Sequence, residues 1–168
     1  MPNEDILKGL KTALETEMNG IEFYRIAAEK TADTKAKGVF QILANDEALH
    51  FIELKKQNDA LLKTGKWDPA IVLGKPSEFK GASPIFSDDF KSRIRDRHFE
   101  MSALSIGALL ETNSIDFYRQ MKDTSKDPNA KRFFADLQSW EEKHLDAIVK
   151  QLDLVKEEFW QNAHWQPY

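Results

Sequence analysis

Two glutamate–histidine pairs share one spacing: Glu47 with His50 in NDEALHF, and Glu141 with His144 in SWEEKH. On a helix, residues three apart share a face, so each pair can reach a single ion. Both pairs fall inside apolar stripes of helical period. Phe40, Leu43 and Leu54 flank the first; Phe134, Leu137, Ile148 and Val155 flank the second. Two more glutamates interrupt stripes in the same way. Glu17 breaks the run Leu7, Leu10, Leu14, Ile21, Tyr24, Ala28, and Glu111 breaks Leu104, Ala108, Ile115, Tyr118. A buried, unpaired carboxylate costs several kcal/mol, and four in one core cannot all stay ionised. No Lys or Arg shares these central positions. Two divalent cations would balance the four carboxylates, with two neutral imidazoles completing the ligand set. One Glu from each of two helices plus Glu-x-x-His from each of the other two is the dimetal-carboxylate arrangement of four-helix bundles.

An internal repeat carries the same residues twice. Shifted by 94, residues 17–57 meet 111–151 without a gap and with 15 identities. Glu17 pairs with Glu111, Tyr24 with Tyr118, Glu47 with Glu141 and His50 with His144. A single Glu-x-x-His is weak evidence for a metal. Two at a constant offset, each matched to a stripe Glu on a partner helix, are strong evidence.

The elements that must position these groups are four helices, near 5–31, 34–63, 99–124 and 128–160, in an all-α fold occupying the single domain 1–168. Asp33 or Thr34 can cap the second helix. Asp127 followed by Pro128 marks the start of the fourth, and Gly65 the end of the second. Short turns make helices 1 and 2, and helices 3 and 4, antiparallel hairpins. Residues 64–98 form a long crossover, with a short helix expected near 87–96, and allow helices 2 and 3 to run parallel. The aromatic tail FWQNAHWQPY is expected to dock on the bundle or on a partner chain.

Composition narrows the function classes. A net charge of −4 and pI near 5.6 argue against nucleic acid and anionic membranes, and the basic run KSRIRDRH reads as a solvated face. The absence of cysteine excludes disulfides, thiol chemistry and Cys-ligated zinc, iron or iron–sulfur centres within these 168 residues. No apolar h-region opens the chain, and no run approaches the roughly 18 residues of a membrane span. The expected location is the cytoplasm, with no membrane partner.

Across roughly residues 5–155 the chain resembles the ferritin-like superfamily, and the rubrerythrin diiron domain in particular. The motifs are ETEMNGIEFY with Glu17 and Tyr24, EALH with Glu47 and His50, ETNSIDFY with Glu111 and Tyr118, and EEKH with Glu141 and His144. The resemblance implies a ferritin-like bundle with a non-haem diiron centre. Glu47 and Glu141 would bridge the irons, Glu17 and Glu111 would be terminal ligands, and His50 and His144 would bind one iron each. It also implies reduction of hydrogen peroxide or oxidation of ferrous iron, in a homodimer or larger homo-oligomer. Rubrerythrins proper carry a further carboxylate one turn beyond the third-helix ligand, where this chain has Ser114, repeated as Gly20. They also carry a cysteine-ligated rubredoxin domain, which these residues do not contain. The match is to the rubredoxin-free, rubrerythrin-like branch.

The expected activity is that of a diiron oxidoreductase of peroxidase type, acting in oxidative stress. It would reduce peroxide or dioxygen with electrons from an external donor such as a rubredoxin or a reductase. The alternatives are a ferroxidase or iron-storage protein taking ferrous iron as substrate, and a non-catalytic metal-binding bundle. The Glu/His set suits manganese or a mixed Mn/Fe pair as well as two irons. Tyr24 and Tyr118, two turns beyond their glutamates, are expected to hydrogen-bond ligand carboxylates. Gly20 and Ser114 either leave room for a small oxidant or permit close packing. Trp140 is expected to pack; His98 and His164 are expected not to be ligands.

Overall fold

Asp33 and Asp127 set the two hairpins. The computed structural model describes residues 2–75, 77, 79 and 98–162, without the side chains of residues 2, 3, 154, 155 and 157–162. Helix α1 (Pro2–Lys30) is followed after three residues by α2 (Thr34–Thr64). The Asp33 carboxylate accepts from the Ala36 N–H at 2.9 Å, satisfying one of the free donors at the start of α2. Helix α3 (His98–Thr124) is likewise followed after three residues by α4 (Pro128–Asn162). There the Asp127 carboxylate accepts from Asn129 N–H at 2.7 Å and Ala130 N–H at 3.3 Å, while Pro128 takes the first helical position, where no N–H is needed. Gly65, at φ 70°, ends α2 in the left-handed region and donates to Leu61 O at 2.8 Å.

Cross-bundle approaches fix the topology. A side chain at Gly9, near the start of α1, would strike Met121 near the end of α3. At the other end, Gly107 of α3 lies against Tyr24 of α1. Helices α1 and α3 are therefore antiparallel, and because α2 reverses α1, α2 and α3 run parallel. The long crossover makes this possible, and the result is the all-α, ferritin-like four-helix bundle that the sequence predicts.

The crossover is anchored as it leaves α2. Buried Gln57 donates through Nε2 to Asp68 O at 2.7 Å, and its Oε1 accepts from Asp68 N–H at 3.2 Å. Trp67 is buried edge-on against Phe133, with ring centroids 5.5 Å apart, and tilted against Phe134 at 5.6 Å. The expected short helix near 87–96, most of the basic run, His164 and the tail beyond Asn162 lie outside the described residues. Among the described residues no strand occurs, and no helix is long and apolar enough to cross a membrane.

The core comes in two apolar parts. One gathers Tyr24, Phe40, Leu43, Leu104 and Ile148; the other gathers Leu10, Leu54, Tyr118, Phe134 and Leu137. The layer between them is polar.

Candidate metal centre

That layer brings together the six stripe-breaking residues. Glu17 comes from α1, Glu47 and His50 from α2, Glu111 from α3, and Glu141 and His144 from α4; all six are buried. Their donor atoms form two overlapping groups. One atom each from Glu17, Glu47, His50 and Glu141 lie within 4.8 Å of one another, as do atoms from Glu47, Glu111, Glu141 and His144. Glu47 and Glu141 belong to both groups. His50 Nδ1 lies 3.1 Å from Glu141 Oε1 and 3.4 Å from both Glu17 Oε2 and Glu47 Oε2. His144 Nδ1 lies 3.3 Å from Glu47 Oε1 and Glu141 Oε2, and 3.7 Å from Glu111 Oε2. The same ring nitrogen of each histidine therefore faces the carboxylates.

The tyrosines cross over. Tyr24 of α1 donates to Glu111 Oε1 of α3, and Tyr118 of α3 donates to Glu17 Oε1 of α1. Each phenol holds the glutamate of the opposite repeat, leaving that glutamate's Oε2 directed at a histidine. Burial first, and then the neighbouring carboxylate charge, pushes both phenols well above their ordinary range, so they remain donors.

Electrostatics separates the four carboxylates into two kinds. Burial, followed by repulsion from Glu47, raises Glu17 well above the carboxylate range; burial with repulsion from Glu141 and Glu47 does the same for Glu111. At Glu47 burial opposes ionisation, but the close approach of Glu17, His144 and His50 outweighs it and holds the group well below its usual value. At Glu141 burial and the Glu47 charge oppose ionisation, and His50 and His144 reverse the sign. Burial disfavours charge on both histidines, yet the surrounding carboxylates raise them well above the ordinary imidazole value. In the metal-free protein, protons do what cations would otherwise do.

The residues fit a pair of metal ions. Glu17 Oε2, both Glu141 oxygens, His50 Nδ1 and His144 Nδ1 are buried without a hydrogen-bond partner, although they converge on one small volume. Unsatisfied buried polar atoms are rare and call for a specific reason. Among the described residues no lysine or arginine pairs with any of the six. Oxygen-rich donors with one imidazole per position suit iron or manganese.

The flanking positions resolve as well. A Cβ at Gly20 would sit 3.2 Å from Glu47 Cγ, so this glycine admits the shared carboxylate at close range. Ser114 is buried. Trp140 packs edge-on against His50, with centroids 4.8 Å apart. His98 is exposed at the start of α3, outside the cluster.

Three residues near the site were not singled out from the sequence. Buried Asp46 places Oδ2 3.2 Å from His144 Nε2, Ser77 Oγ donates to Asp46 Oδ1 at 2.7 Å, and Phe79 meets His144 edge-on at 6.0 Å. Asp46 had a signal: it lies three residues after Leu43 and four before His50, on the same stripe.

The uncharacterized protein YhjR of Bacillus subtilis (strain 168) is 41% identical over 49 residues, 29% of this chain. The match spans 34% of the length of that curated relative. No solved structure matches the chain. The family model described as Rubrerythrin, however, matches residues 8–152, both hairpins and every residue of the buried cluster included, and the chain belongs to the rubrerythrin family.

Proposed function

We propose that Glu17, Glu47, His50, Glu111, Glu141 and His144 hold two iron ions, and that the chain reduces hydrogen peroxide with electrons from an external donor. The observation that carries this is the overlap of the two donor groups at Glu47 and Glu141. Two positions sharing two carboxylates keep a pair of ions close enough to act on one small molecule. When bound, two ferrous ions supply the two electrons that break the peroxide O–O bond; with two protons the products are two waters and two ferric ions.

The chain's own residues supply the setting. Glu47 and Glu141 take the shared positions, and Glu17 and Glu111 one outer position each. Tyr118 and Tyr24 fix the outer carboxylates, so the ligands need little reorganisation when an ion arrives. The apolar core on both sides excludes bulk water from the reacting pair. An external donor, such as a rubredoxin or a reductase, returns the electrons.

The test is stopped-flow oxidation of anaerobic protein carrying two ferrous ions per chain, with peroxide and dioxygen compared side by side. The proposal expects peroxide to react much faster and iron uptake to stop at two. If dioxygen competes and further ferrous iron keeps being consumed and retained, the chain is an iron-handling ferroxidase instead.

A further inference from the structure

The repeat makes the two ion positions look interchangeable: Glu17 answers Glu111, Glu47 answers Glu141 and His50 answers His144. The residues beside the histidines break this equivalence. Asp46, shifted by 94, falls on Trp140.

Resting on the dimetal reading above, we infer that the two ion positions are inequivalent, and that Asp46, held by Ser77, is the positioning residue that makes the position at His144 the tighter one. Asp46 is only 2% exposed, and its Oδ2 lies 3.2 Å from His144 Nε2. A carboxylate there takes the Nε2 proton as a hydrogen bond and leaves the Nδ1 lone pair for the ion. It also fixes the ring plane and makes Nδ1 a better donor. The Ser77 hydroxyl donates to Asp46 Oδ1 at 2.7 Å, which holds the carboxylate with its other oxygen toward the imidazole. Ser77 belongs to the crossover, so a segment outside the bundle helps to set one ion position and not the other.

His50 has no such support. Its Nε2 is buried and makes no hydrogen bond among the described residues. The ring meets Trp140 at an interplanar angle of 74°. An indole N–H donates only and cannot accept a proton from Nε2. Among the described residues nothing there selects the tautomer with a free Nδ1 or fixes the ring by more than packing. The two positions share Glu47 and Glu141, and each has an outer glutamate held by a tyrosine. The hydrogen-bond support of the histidine is therefore a difference between them.

The test is an anaerobic titration of the metal-free full chain with Mn²⁺, following free ion by electron paramagnetic resonance. Two binding steps are expected, at least about tenfold apart in affinity, because loss of such supporting partners typically changes affinity by about 10–100-fold. His50→Ala should keep the tight step and His144→Ala should lose it. Asp46→Asn should weaken the tight step by about 10–100-fold and leave the weak step in place. Ser77→Ala, which keeps the carboxylate, should move the same step by a smaller factor, and it carries the test if Asp46→Asn does not fold by circular dichroism. Two equal steps in the unaltered chain, or variants that shift both steps alike, would overturn the inequivalence while leaving the dimetal reading intact. Failure to take up two ions at all would overturn that reading, and the inference with it.

Discussion

Tyr24 and Glu111 are joined across the bundle: the phenol of one repeat is the hydrogen-bond donor to the outer glutamate of the other. Tyr118 and Glu17 make the reciprocal bond. Each hairpin thus completes the other's ligand set, and neither hairpin contains a finished position. The polar layer also clamps α1 to α3, a helix pair that does not share a hairpin.

Replacing Tyr24 with Phe should therefore affect both stability and metal binding. The buried Glu111 oxygen loses its donor, which costs about 1–3 kcal/mol. For a chain of this size the melting temperature falls by about 2–4 °C per kcal/mol. Metal affinity should drop by about 10–100-fold, because Glu111 is no longer oriented. Tyr118→Phe should do the same through Glu17. Differential scanning calorimetry and metal titration read the two effects; unchanged affinity in both variants would mean that the phenols only pack.

Shared and outer glutamates should differ in what their loss removes. Glu47 contributes to both donor groups and Glu17 to one. Glu17→Gln imitates the protonated carboxyl that burial already favours, so metal-free stability should change by less than about 1 kcal/mol. It should leave one tightly held ion per chain. Glu47→Gln should leave neither position intact. Elemental analysis after desalting gives the counts, and equal metal content in the two variants is the adverse result.

The fold and the ligand candidates were legible because each leaves a periodic trace. Stripes of period 3.6 give the helices, Asp33, Asp127 and Gly65 mark their ends, and the shift of 94 shows which polar residues belong to the core. What periodicity does not carry is contact between a helix and irregular chain. Ser77 on Asp46, Trp67 on Phe133 and Phe134, and Gln57 on Asp68 all join a helix to the crossover, whose path no repeat records. Asp46 was obscured for a related reason. A search for residues kept by the repeat discards those that differ, and the difference between Asp46 and Trp140 is what distinguishes the halves.

Acidity should act on the metal-free and metal-loaded forms in opposite directions. Glu17, Glu111, His50 and His144 all have raised folded-state values, so the metal-free fold favours their protonated forms. Stability from a raised group is fully present below its unfolded value and is lost as pH rises through the folded value. The metal-free protein should thus begin to lose stability as pH climbs above the ordinary glutamate value of about 4.3, through Glu17 and Glu111, and lose more above the ordinary histidine value of about 6.5, through His50 and His144. An ion needs the same four groups deprotonated, so loading should release up to four protons per pair, and affinity should rise with pH. Melting temperatures across pH, with and without Mn²⁺, should diverge as pH rises. Parallel curves would show that the protons and the ions do not compete for these groups.

Gly20→Ala should separate the needs of the fold from those of the metal. A glycine in mid-helix is worth about 1 kcal/mol less than alanine, so α1 itself gains from the change. The new Cβ lies 3.2 Å from Glu47 Cγ and 3.4 Å from its Cδ, closer than such contacts ordinarily sit, and the carboxylate must shift by a few tenths of an ångström. In the metal-free protein the buried Glu47 side chain is held only by its neighbours Glu17, His50 and His144, and it can make that shift. With ions at both positions it is tied from two sides and cannot. The variant should melt no lower than the unaltered chain when metal-free, yet bind both ions more weakly, since Glu47 belongs to both donor groups. Calorimetry of the metal-free form beside a Mn²⁺ titration decides it: a large fall in metal-free stability with unchanged affinity would place the constraint on Gly20 in the helix packing, and not in the carboxylate that it admits.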